Sequence, residues 1–146
     1  MAAIAPSRLA VVLLVLSGTV SAQQAKAIEQ QVARVGTALS AGNPEEAMTP
    51  FDKSFAEYSR LRDYFSALTE SYAVTNELDV VDEEIANHEA TITVHWTMTL
   101  TEKGTGFSEN REQDLTFKLI MDKNGWRLVG LSPLEFFNPE LRKSKK

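Results

Sequence analysis

Two rhythms divide the chain. Up to about residue 72 the apolar side chains return every three or four positions; beyond it they return every second. In "QQAKAIEQQVARVGTALSAGN" residues Ile28, Val32, Val35 and Leu39 fall on one face of a helix. Lys26, Glu29, Gln30 and Arg34 take the opposite side, and Gly42 and Asn43 stop it. Asn43 can cap a short second helix, with Pro44 in its first position, Glu45 and Glu46 near its positive end, and Pro50 beyond it. "SFAEYSRLRDYFSALTESY" opens on a capping box, Ser54 with Glu57 three residues on. Phe55, Tyr58, Leu61, Phe65, Leu68 and Tyr72 then form an aromatic-rich stripe, opposite Arg60, Asp63 and Glu70. This predicts a third helix from about 55 to 71.

From Tyr72 on, alternation predicts strands. "VTNELDVVD" alternates through Val74, Asn76, Leu78 and Val80, and "DEEIANHE" reads as a polar connection. "EATITVHWTMTLTE" (residues 89–102) is the longest predicted strand. Ala90, Ile92, Val94, Trp96, Met98 and Leu100 are on one face, and Thr91, Thr93, His95, Thr97 and Thr99 on the other. "KGTG" supplies two glycines for a turn. "ENREQDLTFKLIMD" follows, with Leu115, Phe117, Leu119 and Met121 on one face. "DKNG" then marks a hairpin. "WRLVGLSPLEFF" is a fourth strand running into Pro133 and a Phe136–Phe137 plug. Its inward pair is Trp126 and Leu128, or Arg127 and Val129, depending on register. Helices first and antiparallel strands afterwards predict an α+β fold with the helices on one face of the sheet. Ile92, Val94, Trp96, Met98 and Leu100 should face those helices, and the threonines should face outward.

The first 22 residues stand outside this pattern. Arg8, the apolar run "LAVVLLVL" and "VSA" before Gln23 have the form of a secretory leader cleaved after Ala22. Eight apolar residues fall short of the roughly 20 needed to span a bilayer. The expected organisation is therefore a leader over 1–22, one domain over 23–140 and a basic tail over 141–146, with export to the periplasm or the medium. Charge sharpens that division. The chain carries a net −5, and without Arg8 it carries −6. Setting aside Arg142, Lys143, Lys145 and Lys146 leaves about −10 on the domain. Such a body repels phosphate backbones, so nucleic acid is not an expected partner. With no cysteine, thiol chemistry and thiolate metal sites are excluded.

Three helices, long strands and a "GWRLVGLSPLEFF" ending resemble the nuclear transport factor 2-like superfamily, an α+β cone also described as cystatin-like. The specific pieces are "FDKSFAEYSRLRDYFSAL", "TITVHWTMTL" and "NGWRLVGLSPLEFF". The resemblance spans residues 23–140 and rests on packing motifs rather than catalytic ones. It implies a strongly curved antiparallel sheet of four or more strands wrapped around three helices, often with a pocket at the wide end. It points to an exported bacterial-type member of unknown function. The superfamily also contains isomerases, dehydratases and cyclases, so the fold leaves activity open.

Those enzymes work with carboxylates or histidines projecting into the cone, so the inward positions are the ones to examine. The long strand offers no titratable side chain there. Following the inward parity back along the third strand gives Gln113 and Arg111; the helix stripe gives Tyr58 and Tyr72; Trp96 completes a mainly apolar lining. These five are the expected ligand contacts. Arg111 could grip a carboxylate in bidentate fashion or sit at the rim bound to water or Glu109. His95, on the threonine face, reads as a surface residue, an interface residue or a site residue. His88 reads as solvated, and neither has the further ligands a metal site needs. "DVVDEE" lacks the glycine of a calcium loop and reads as a solvated acidic turn. Asp114 and Asp63 have the wrong parity or face for a base, unless a bulge intervenes. The expected function is a non-catalytic domain without metal or cofactor. It would bind a small apolar or amphipathic molecule in the cone, pair with a second copy through the outer sheet face, or both. An isomerase, dehydratase or cyclase and an envelope interaction module are the alternatives.

Overall fold

The computed structural model describes the backbone of residues 4–140 and the side chains from Ala22 onward. Helix α1 runs from Ile4 to Ser40, α2 from Pro44 to Met48 and α3 from Tyr58 to Ser71. Four antiparallel strands follow: β1 (Tyr72–Ala86), β2 (Glu89–Glu102), β3 (Ser108–Asp122) and β4 (Gly125–Ser132). A short 3-10 helix, η1 (Leu134–Phe137), comes last. The sheet is a meander in the order β1-β2-β3-β4, curved around the helices. Among the described residues, no helix is long and apolar enough to cross a membrane. The basic tail 141–146 lies outside the described residues.

The predicted stripes become the core. Ile28, Val32, Val35 and Leu39 of α1 and Leu61, Phe65 and Leu68 of α3 are buried against Ile92, Val94, Trp96, Met98 and Leu100 of β2. Asn43 caps α2 as expected, its side chain accepting from the Glu46 backbone N–H at 3.1 Å. The third helix starts later than predicted. It begins at Tyr58 with no side-chain cap, because the Ser54 hydroxyl bonds the Asp52 carboxylate instead of closing a capping box. Gly104, Gly106 and Gly125 take positive φ values of 95°, 76° and 107°, as the "KGTG" and "DKNG" turns require.

Two bulges set the side-chain parity. On β1 the register shifts between Val80 and Asp82, so Val81 is the extra residue. The segment "DEEIANHE" is thus mostly strand rather than a connection. β1 continues to Ala86 and turns over Asn87, at φ 55°, into β2. On β4 the shift lies at Val129. This resolves the open register: Trp126 and Leu128 point inward, and Leu131 rejoins them after the bulge. Arg127 points away, donating to the carbonyls of Thr49 (3.2 Å) and Phe51 (2.9 Å). There the 50–52 segment covers the β4 edge, with Asp52 N–H donating to Leu128 O and Leu128 N–H to Pro50 O.

Helix α1 approaches the sheet through Gly36. A methyl group there would meet Leu78 at 3.1 Å and the Trp96 ring at 3.6 Å. A polar chain crosses the same contact: the Trp96 indole N–H donates to Asn76 Oδ1 (2.7 Å), and Asn76 Nδ2 donates to Gly36 O (3.1 Å). Asn76 therefore satisfies both a buried ring and a helix carbonyl at that crossing.

Candidate functional site

The interior of the cone is filled by rings. Phe137 meets Phe65 and Trp96 edge-on at 5.1 and 5.3 Å, and Phe136 at 5.2 Å. Trp96 stacks on Phe117 at 6.0 Å. The Phe136–Phe137 ending thus acts as a plug, as the sequence suggested. Two links hold it. Tyr64 and Arg60 of α3 both bond the Glu135 carboxylate, the tyrosine at 2.7 Å. Arg111, buried on the inner face of β3, donates to Phe136 O (2.9 Å), Asn138 O (2.8 Å), Pro139 O (3.4 Å) and Glu109 (3.1 Å).

The five residues chosen from the sequence are dispersed by this packing. Trp96 is fully buried, and its N–H is taken by Asn76. Tyr72 is buried at the α3–β1 junction, and Tyr58 packs half-buried against the core. Arg111 is committed to the C-terminal carbonyls. Gln113 shares the Trp96 face by register but lies exposed on the stretch of β3 that β4 leaves uncovered. None of the five borders the groove of about 490 Å³ between α1 and α2. That groove is lined by Ala33, Arg34, Ala38, Ala41 and Glu46, among others.

The β1 bulge produces what the sequence reading missed. Past Val81 the parity inverts: Glu83 pairs with Ile92 and Ile85 with Ala90, so both turn to the inner face. One Glu83 carboxyl oxygen is buried without a hydrogen-bond partner. Burial, then a shared hydrogen bond with Glu29 of α1 and its charge, raise the Glu83 carboxyl to about 7. The expectation of a solvated acidic turn fails at this residue. The signal was the consecutive pair Val80–Val81, which breaks the alternation of β1. The Trp126 indole N–H is likewise buried without a described partner. Among the described residues, no group of three or more acidic or histidine side chains is placed to hold a metal ion.

The outer face carries a second constellation. His95 Nδ1 lies 2.7 Å from Asp114, directly across the ladder, and Nε2 lies 2.9 Å from Glu112. Asp79 sits opposite His95 on the other side, and Glu77 and Glu112 flank Thr97. Hydrogen bonds donated by the ring to Asp114, then to Glu112, raise the His95 pKa above 6.5. Thr99 bonds Asn110 (2.7 Å) and Thr101 bonds Ser108 (2.9 Å), continuing the ordered polar face. A depression of about 280 Å³ opens there between Thr75, Glu77, Thr97 and Thr99.

Solved structures share this architecture. A nuclear transport factor 2-like superfamily protein from Salmonella enterica serovar Typhimurium superposes with a TM-score of 0.66 at 13% identity, covering 76% of this chain and 89% of that one. A protein with a cystatin-like fold from Novosphingobium aromaticivorans gives 0.64 at 16% identity, over 80% and 84%. The chain has the nuclear transport factor 2-like fold. A third member of that fold, from Streptomyces avermitilis and provisionally named a dehydratase, gives 0.61 at 9% identity, over 75% and 93%. No family model and no curated protein matches the sequence. Identities this low establish the nuclear transport factor 2-like cone and leave its use to the residues themselves.

Proposed function

We propose that this nuclear transport factor 2-like chain is an exported binding module that works through the outer face of its sheet and takes a cationic protein segment there. The observation that carries this reading is His95 held between Asp114 and Glu112, with Glu77 and Asp79 alongside. The face is ordered, polar and strongly acidic, so it favours lysine- or arginine-rich partners and speeds their encounter. Pairing with a second copy through the same face would set these carboxylates against their own images. Self-association there belongs to acidic conditions or to a cation between the faces. An apolar guest in the cone would have to displace Phe137 or Phe117 from fully buried positions. Export rests on the leader-like sequence of residues 1–22.

Titration with a fluorescent oligolysine peptide tests the reading. Binding should weaken steeply with salt and should fall in the Glu112→Gln/Asp114→Asn double variant. Equal binding by the double variant would refute it. A second reading, a proton-transfer enzyme, is favoured by Glu83, a carboxyl near neutrality on the inner face. Its test is turnover of an enolisable ketone, which Glu83→Gln should abolish.

A further inference from the structure

Helix α1 is held to the sheet toward both ends of its packed stretch. Toward its C-terminus Asn76 Nδ2 donates to Gly36 O, and Val35 and Leu39 are fully buried. Toward its N-terminus Ile28 and Val32 point into the core, with a polar tie on each flank. Gln31 donates to Trp126 O of β4, and Glu29 shares a hydrogen bond with Glu83 of β1. The second tie carries a chemical condition. Ionised carboxylates only accept hydrogen bonds, so a bond between two carboxyl groups requires one of them to hold a proton. The Val81 bulge turns Glu83 inward, opposite Ile92, and leaves one of its oxygens buried without a hydrogen-bond partner. Among the described residues, no cation faces the pair from the sheet. Ile92 of β2 and Phe117 of β3 continue the row from Glu83 along the inner face, with Ile85, Ala90 and Val94 beside them. Asp82 and Glu84 of β1 and Glu89 of β2 project to the outer face. Lys26, three residues before Glu29 on α1, is exposed.

We infer that Glu29 and Glu83 form a proton-operated latch between α1 and the end of β1. While they share a proton, residues 24–32 lie on the sheet; when it leaves, that stretch detaches and uncovers the inner face around Ile28, Ile85 and Ala90. The latch goes beyond the outer-face reading and does not depend on it. With the proton gone, two like charges stand at hydrogen-bonding distance, and one of them has an oxygen cut off from water. Separation relieves both, because Glu29 is half-buried on a helix flank beside exposed Lys26 and Gln30. Burial of Glu83, then its bond to Glu29, put the departure of the proton near neutrality, at about 7. The latch is therefore closed in acid and opens as pH rises through that value. The Asn76–Gly36 contact carries no titrating group and keeps the rest of α1 in place.

Hydrogen exchange resolved along the intact chain tests this, compared at about pH 5.5 and about pH 8.5 and corrected for the pH dependence of free amides. Protection over residues 24–32 should fall at least about tenfold from the acid to the alkaline condition, while residues 35–40 and α3 keep theirs. Glu29→Gln should remove that dependence, since an amide donates to Glu83 without a shared proton. Glu29→Lys should hold the stretch closed at the alkaline condition, at least about tenfold more protected than the parent, because an ammonium then faces the ionised Glu83. Both changes fall at a half-buried helix position, so the fold should survive them. Protection over 24–32 that follows free-amide chemistry alone would overturn the inference. A loss shared equally by α1, α3 and the sheet would also overturn it, by assigning the proton to the stability of the whole fold. A Glu29→Gln chain that kept the parent's pH dependence would do the same.

Discussion

Replacing Glu83 with Gln should make the protein more stable above neutrality and change little in acid. In the folded chain this carboxyl titrates near 7 rather than at its ordinary 4.5. Between those values the native state holds a proton that the unfolded state has released. The stability tied to that proton is complete below 4.5, declines as pH rises through 7 and is gone above it. A displacement from 4.5 to about 7 corresponds to about 3 kcal/mol, and partial access of water on the open side of β1 trims this to about 2. Glutamine keeps the shape and carries no charge toward Glu29, so the variant should not show this slope. For a domain of this size about 2 kcal/mol is about 6–10 °C in melting temperature. Circular dichroism melts of parent and variant from pH 4.5 to 8.5 give the comparison directly. The curves should meet at the acid end and separate toward pH 8, with the variant higher. Parallel curves would show that Glu83 is solvated in the folded chain and that the bulge does not turn it inward.

Asn76→Leu should cost about 2–3 kcal/mol by leaving the buried Trp96 N–H without an acceptor, and should quench or shift tryptophan emission as well as lower the denaturation midpoint. Gly36→Val should destabilise by about 1–3 kcal/mol, because the new methyls meet the Leu78 and Trp96 side chains at a close helix–sheet contact; urea unfolding would measure it. Arg111→Met should release residues 136–139 and cost about 3 kcal/mol, with faster proteolysis after Phe137, and Arg111→Lys should restore little because one ammonium cannot span three carbonyls. The His95 proton should leave above pH 6.5 in the parent by NMR, and Asp114→Asn/Glu112→Gln should bring that midpoint down. The protonated ring contributes most below 6.5 and loses its contribution as pH rises through the elevated value.

The layers were readable because burial follows a period. A face that must be apolar writes itself into every second or every third and fourth residue, and β2 and α3 did so without interruption. The site was less readable because it depends on where the period breaks. Val81 adds one residue to β1 and exchanges the faces of everything after it, which a strict alternation misplaces. Arg111 had the correct inward parity, yet its partners are carbonyls 25 to 28 residues later in the chain. Composition says nothing about such a contact. Parity alone put His95 and Asp114 outward, but that the two stand directly opposite each other followed only from the β2–β3 register. Ser54 shows the local version of the same limit, since a capping box competed with Asp52 two residues away and lost.

The extra residue in β1 also bears on how such chains diverge. Deleting Val81 alone would straighten β1 and leave the ladder partners as they are, Asp82 opposite Thr93, Glu83 opposite Ile92 and Glu84 opposite Thr91, so Glu83 would stay on the inner face. A lineage can thus gain or lose that one codon and keep its inward proton-binding group. Descendants with the same acids in the same order would share that chemistry, and the trace of that history would be a gap of one position at the two valines.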